Sequence, residues 1–64
     1  MNAGDMVLVT LPGDVDGWYV PAGFSGLAEV VGEIGPDDFD IAWRHNGEIE
    51  PMPIEYCKPV DPRS

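Results

Sequence analysis

The sequence predicts an all-β domain of five short strands, and three observations support this prediction. Short apolar, β-branched runs recur along the chain, and several alternate with polar residues as half-buried strands do. Clusters of Gly, Pro, Asn and Asp separate these runs. The segment 12–23 is too rich in Gly and Pro for a regular helix. At 64 residues the chain holds one domain, expected to span residues 1–60, followed by a flexible tail at residues 61–64.

The first half of the chain is predicted to contain two strands joined by a long loop. The run DMVLVTL at residues 5–11 is typical of a strand, and Pro12-Gly13 ends it. The loop follows and extends to residue 26. The run LAEVVGEI at residues 27–34 is the second strand.

The second strand has two faces of different character. Alternation places Ala28, Val30 and Ile34 on one face and puts Glu29 and Glu33 on the other. A glycine within this strand, at position 32, indicates a bulge or a sharp bend. The run GPDD at residues 35–38 then forms a turn.

The second half of the chain is predicted to contain a hairpin and a short last strand. Residues 39–44 alternate as a half-buried strand, with Phe39, Ile41 and Trp43 sharing the buried face. Asn46-Gly47 predicts a type I′ turn, in which both residues have positive φ. The next strand, residues 48–52, contains Pro51, which indicates a sheet edge or a bend. A single 3₁₀ turn at residues 53–57 and a strand at residues 58–60 complete the domain.

The order of these elements resembles an SH3-like small barrel, most clearly from Gly26 onward. SH3-like domains show a V-x-W strand, a Gly-containing hairpin and then V-P-x-x-x-L-x-P-V. The last motif appears here as MPIEYCKPV at residues 52–60, with Cys57 at the leucine position. The resemblance implies a five-stranded barrel with a long first loop and a single 3₁₀ turn before the last strand. These are packing positions, so they indicate a fold and not an activity. The A-L-Y-D-Y signature of signalling SH3 domains is absent from the first strand.

The charge of the chain excludes some classes of partner. Twelve Asp and Glu residues oppose only Arg44, Lys58 and Arg63, for a net charge of −9. Binding to nucleic-acid phosphates needs clustered Lys and Arg, so neither direct nucleic-acid binding nor binding to anionic membranes is expected. Three origins of the acidity stay open: solubility, including adaptation to a high-salt environment; steering to a basic partner; and imitation of nucleic acid.

The sequence favours a cytoplasmic protein. Its one cysteine, Cys57, cannot form an internal disulfide. The N-terminal residues MNAGDMVLV lack a basic region followed by a long apolar run, so no signal peptide is expected. The apolar stretches are too short to span a membrane.

No catalytic constellation is present in the sequence, so the protein is expected not to be an enzyme and to need no cofactor. The one histidine, His45, lies in the predicted hairpin turn, where a polar surface role is usual. Cys57 is expected on the inner side of the 3₁₀ turn, where a buried thiol is inert. Nothing in the sequence supports a pairing of the two, and phosphate-binding glycine motifs are absent.

The run DVDG at residues 14–17 invites a calcium interpretation, which its surroundings do not support. In the twelve-residue EF-hand frame, Asp14 and Asp16 would take positions three and five. The first and last positions would then be Pro12 and Gly23, neither of which carries a carboxylate. No metal site is therefore predicted.

The aromatic residues of the long loop are the main candidates for contact with a partner. Trp18 and Tyr19 are adjacent, so in an extended stretch one of them points away from the domain. Phe24 is expected in the core. The alternative is that all three fold over an open end of the barrel as a lid. The predicted partner-binding residues are Asp14, Asp16, Trp18, Tyr19 and Tyr56.

Trp43 allows two interpretations. Its alternation with Ile41 and Phe39 favours burial. Alternatively, Trp43 lies at the rim with Tyr56 and forms a shallow aromatic groove for a proline-rich or methylated-lysine ligand.

Three functions are consistent with these features. The first is a protein interaction module that uses the acidic, aromatic loop to bind a partner with a basic surface. The second is a nucleic-acid-mimicking inhibitor, of the phage or mobile-element type, directed at a host protein that binds nucleic acid. Its carboxylates would form rows on an outer face, with Glu29, Glu33, Glu48 and Glu50 as candidates. The third is a structural or assembly subunit; the oligomeric state is left open.

Overall fold

The computed structural model describes residues 2–60 and shows an all-β protein. The predicted tail, residues 61–64, lies outside the described residues. The described strands are β1 (Met6–Thr10), β2 (Ser25–Glu33), β3 (Asp38–Trp43), β4 (Ile49–Pro53) and β5 (Cys57–Pro59), and a 3₁₀ turn spans Ile54–Tyr56. The predicted all-β class, the long first loop and the 3₁₀ turn before the last strand are confirmed.

The strands form one antiparallel sheet in the order β4-β3-β2-β1-β5. Within residues 2–60, β4 and β5 are the two edges of the sheet, and no pairing between them closes it. The structure therefore shows an open five-stranded sheet and leaves a closed barrel unconfirmed.

The bulge predicted in β2 is confirmed and reverses the facing of the residues beyond it. The register of β2 against β3 shifts between Val30 and Gly32, so one extra residue enters β2. Ala28 and Val30 are buried as predicted, whereas Ile34 is exposed. The prediction that Ile34 shares their face was wrong, because one added residue changes the facing of every residue that follows.

The hairpin between β3 and β4 is present, but its turn is not the predicted type I′. Gly47 has a φ of +74°, whereas no residue other than glycine has positive φ in the described chain, so Asn46 does not adopt the predicted conformation. Trp43 closes the loop by donating to the carbonyl of Glu48 at 2.9 Å and accepting from Gly47 at 2.7 Å. Four residues, 44–47, therefore form the loop instead of two. The Asn46 carboxamide accepts a hydrogen bond from the Glu48 N–H at 2.9 Å, which favours this longer loop.

The hydrophobic core lies on the inner face of the sheet and is completed by the first loop. Alternate residues of β1 to β4 supply most of it, and two loop residues, Leu11 and Val20, are also buried. The buried apolar residues are Val7, Val9, Leu11, Val20, Ala28, Val30, Phe39, Ile41, Trp43 and Met52. The loop backbone therefore covers the inner side of the sheet.

Prolines occupy both edge strands. Pro51 and Pro53 lie two residues apart in β4, so their nitrogens point the same way. In β5, Val60 donates to the carbonyl of Met6 at 3.1 Å, so the nitrogen of the preceding Pro59 faces away from β1. Proline is accommodated in a sheet where its nitrogen faces no neighbouring strand.

Candidate interaction surface on the first loop

The first loop comprises residues 11–24 and is closed at its neck by backbone hydrogen bonds. Leu11 donates to the carbonyl of Phe24 at 2.9 Å, and Gly23 donates to the carbonyl of Pro12 at 2.9 Å. These bonds continue the pairing of β1 with β2 beyond the strand ends. The loop therefore leaves the sheet as a paired stem and widens only towards its tip.

A buried carboxylate holds the tip of the loop. Glu50, in β4, is only 2% exposed and accepts three hydrogen bonds. Its Oε1 accepts from the Trp18 backbone N–H at 3.1 Å, and its Oε2 accepts from the Tyr19 backbone N–H at 3.2 Å and from the Trp43 indole Nε1 at 2.8 Å. A buried carboxylate is tolerated when donors satisfy its oxygens. One side chain thus connects the loop, β3 and β4.

Gly17 permits this close approach of the loop backbone. A Cβ at this position would lie 2.6 Å from Val20 Cγ2 and 3.0 Å from Glu50 Oε1. The Gly17 N–H donates to the carbonyl of Val20 at 3.0 Å, which turns the chain tightly around Trp18 and Tyr19. A glycine is therefore required by contact at this point in the loop.

The two aromatic side chains at the tip are exposed although their backbone is fixed. Trp18 is 71% exposed and Tyr19 is 48% exposed, whereas the next residue, Val20, is buried. The lid interpretation therefore does not describe Trp18 or Tyr19. Phe24 is half-buried and packs edge-to-face on Trp43, with ring centroids 5.3 Å apart.

The acidic residues of the loop have different surroundings. Asp14 and Asp16 are both exposed. Asp16 Oδ1 accepts a hydrogen bond from the Ala22 backbone N–H at 3.0 Å, so this residue also stabilises the loop. Four of the predicted partner-binding residues, Asp14, Asp16, Trp18 and Tyr19, thus belong to one fixed loop.

Tyr56 is not brought into contact with that loop. It lies in the 3₁₀ turn, is half-buried and packs against the core. The ring contacts found in residues 2–60 join Phe24, Trp43 and His45, and none includes Tyr56. Trp43 is 1% exposed, which confirms its predicted burial and shows that the alternative rim position was wrong.

The four candidate mimic carboxylates do not form one outer row. Glu29, Glu33 and Glu48 are exposed, but Glu50 is buried and faces the loop. Placing Glu50 on the outer face was wrong, because it shares the inner face of β4 with Met52. The sequence held one usable signal: a buried Trp43 indole needs an acceptor, and Glu50 lies across the hairpin from it.

His45 and Cys57 lie in separate settings. His45 is exposed in the hairpin loop, and its ring lies 5.2 Å from the ring of Phe24. The Cys57 thiol donates to the carbonyl of Pro53 at 3.6 Å, and burial raises its pKa from 9.0 to about 11. Such a thiol stays protonated at neutral pH, and the protonated form is a poor nucleophile.

Within residues 2–60, no three His, Cys, Asp or Glu side chains are grouped so that they could hold a metal ion. The same residues contain no helix of the length and apolarity needed to cross a membrane. Comparisons of the chain with protein-family models, with curated proteins and with solved structures find no match.

Proposed function

We propose that this chain is a small, acidic, non-catalytic protein interaction module of SH3-like architecture that binds a partner protein through Asp14–Phe24. The architectural part is supported by the sheet order β4-β3-β2-β1-β5, the long loop after β1 and the 3₁₀ turn before β5. The binding part is supported by the geometry of the loop.

The observation that carries this proposal is the exposure of Trp18 and Tyr19 on a backbone that Glu50 holds. Large aromatic side chains are costly to leave in water and are favoured as contact residues in interfaces. A loop that is already ordered loses little conformational entropy on binding. Exposed aromatic groups on a fixed support therefore suit recognition better than packing.

The charge around the loop indicates a basic partner. Asp14 and Asp16 are exposed within a few residues of Trp18, and the chain as a whole carries a net charge of −9. Long-range attraction raises the association rate with a basic protein. An Arg or Lys side chain of the partner can also stack on the exposed Trp18 ring.

A pull-down with the tagged full chain, followed by a measured Kd for the captured protein, tests this function. Trp18→Ala is expected to weaken binding by about tenfold or more, since central aromatic residues dominate interfaces. The matched control is Ile54→Ala, which truncates a side chain that is 40% exposed outside the loop. Unchanged affinity of a folded Trp18→Ala variant would contradict the proposal.

Imitation of nucleic acid is a second candidate, supported by the net charge of −9 and by the exposure of Glu29, Glu33 and Glu48. This function predicts that duplex DNA or RNA competes with the chain for its partner. It also predicts that affinity falls steeply with salt, because many charge pairs contribute. Binding that survives high salt and ignores competing nucleic acid would favour the aromatic loop as the binding surface.

A further inference from the structure

The outer face of the sheet is unusually apolar for a face that no other element covers. An exposed face of an antiparallel sheet is normally polar. Here Leu27 is 46% exposed in β2, Ile49 is exposed in β4, and the half-buried Met6 and Leu8 lie in β1. Contiguous apolar surface of this kind marks interaction sites.

Strand register brings these apolar residues together. Leu27 pairs with Leu8, and Leu8 pairs with Lys58, so the three side chains lie on one face. The Arg44 N–H donates to the carbonyl of Leu27 at 3.1 Å, which extends the same row into the residue after β3. The row therefore reads Arg44, Leu27, Leu8, Lys58 across the sheet.

The neighbouring row on this face runs parallel to the first. Register pairs Met6 with Glu29, Glu29 with Ala42, and Ala42 with Ile49. The Arg44 side chain spans the two rows, since its Nη1 lies 3.6 Å from the Met6 sulfur. One carboxylate, Glu29, thus lies among apolar residues and next to a row that carries a cation at each end.

Both cationic side chains of residues 2–60, Arg44 and Lys58, therefore lie on this one face. Two copies of a chain with a net charge of −9 repel each other over most of their surfaces. The outer face is the region where charges of both signs accompany apolar surface. A two-fold axis through it can place Arg44 of one copy against Glu29 of the other, as in an isologous interface.

We propose that the outer face, defined by Met6, Leu8, Leu27, Glu29, Arg44, Ile49 and Lys58, binds a second copy of this chain to form a symmetric dimer. The proposal does not depend on the function of the first loop. The loop covers the inner side of the sheet through Leu11 and Val20, so a dimer of this kind leaves Trp18 and Tyr19 accessible.

Sedimentation equilibrium of the full chain over a wide concentration range tests the dimer. The expected mass approaches twice 6.9 kDa as concentration rises. Leu27→Glu puts like charges at the centre of the interface and is expected to weaken dimerisation by about tenfold or more. The matched control, Ile54→Glu, adds the same charge outside this face and is expected to leave the dimer largely intact.

Two further variants distinguish a dimer formed through the outer face from one formed through the first loop. Arg44→Glu, which alters no apolar contact residue, is also expected to weaken the dimer, and circular dichroism shows whether each variant is folded. Trp18→Ala is expected to leave the dimer unchanged. A monomer at all concentrations would overturn the proposal, as would a dimer that resists Leu27→Glu and Arg44→Glu but is lost in Trp18→Ala.

Discussion

The first loop, residues 11–24, and the hairpin loop, residues 44–47, both connect neighbouring antiparallel strands, but different interactions hold them. The hairpin loop is held by residues within it or beside it, such as Asn46 bonding to the Glu48 N–H. The tip of the first loop is held by Glu50, which lies more than thirty positions along the chain from Trp18 and Tyr19. The difference shows that a short connection is specified locally, whereas a long one needs a distant partner to become a defined surface.

Removal of the Glu50 carboxylate is expected to give the largest effect and to break this comparison most directly. Glu50→Ala leaves the N–H groups of Trp18 and Tyr19 and the Trp43 indole without their acceptor. Each buried unsatisfied donor is costly, so we expect a loss of about 3 kcal/mol or more in the free energy of unfolding. Urea denaturation measures this loss.

Glu50→Gln provides the matched control for that experiment. An amide has one oxygen, so one end of the side chain now presents donors to a backbone N–H or to the indole. We expect an intermediate loss of about 1–2 kcal/mol. Equal stability of the wild type and Glu50→Ala would show that the carboxylate does not hold the loop.

The next effect concerns the close approach at Gly17. Gly17→Ala places a Cβ 2.6 Å from Val20 Cγ2 and 3.0 Å from Glu50 Oε1, so the loop must shift. We expect destabilisation of about 1–3 kcal/mol, with larger chemical-shift changes at the loop than elsewhere. Gly13→Ala is the matched control in the same loop, since its added Cβ meets nothing within 4 Å. A similar cost for both variants would contradict the role given to Gly17.

The hairpin loop is expected to respond more weakly and locally. Gly47→Ala forces a non-glycine residue to adopt a φ of +74° and is expected to cost about 1 kcal/mol. Asn46→Ala removes one exposed hydrogen bond and is expected to cost less. Thermal unfolding measures both changes. An effect on the fluorescence of the exposed Trp18 in either variant would show that the two loops are coupled.

The smallest effect is a pH dependence outside both loops. Burial raises the pKa of Cys57 from 9.0 to about 11, so the folded chain retains the thiol proton over a range where the unfolded chain loses it. Its contribution is fully present below about pH 9 and is lost as the pH rises towards 11. Cys57→Ala is expected to flatten the fall in stability over this range. Identical pH profiles for the two proteins would contradict the raised pKa.

The sequence predicted those parts of the fold that depend on neighbouring residues. Alternation indicated that Trp43 is buried, and Gly32 indicated the bulge of β2. The facing of Ile34 was wrong because the position of an extra residue within a bulge depends on the register with β3. The turn at Asn46 was wrong because the loop is longer than the pair Asn46-Gly47 alone suggests.

The candidate site was predicted only in part, for a similar reason. The acidic and aromatic residues of the loop could be singled out from their types and from the glycines and prolines around them. The role of Glu50 could not be inferred from its immediate neighbours, since its donors belong to the distant loop and to β3. A charged residue in a short acidic chain is assigned to the surface unless its partners are known.

The prolines of the edge strands have a consequence for how this chain behaves when it is crowded. A fibril grows when each new strand pairs with the exposed backbone of the last one. Pro51 and Pro53 on β4, and Pro59 on β5, remove donors from the two outward-facing backbones. Amyloid elongation from either edge therefore lacks the continuous hydrogen-bonding template it requires, and the native protein can be concentrated without seeding its own polymerisation.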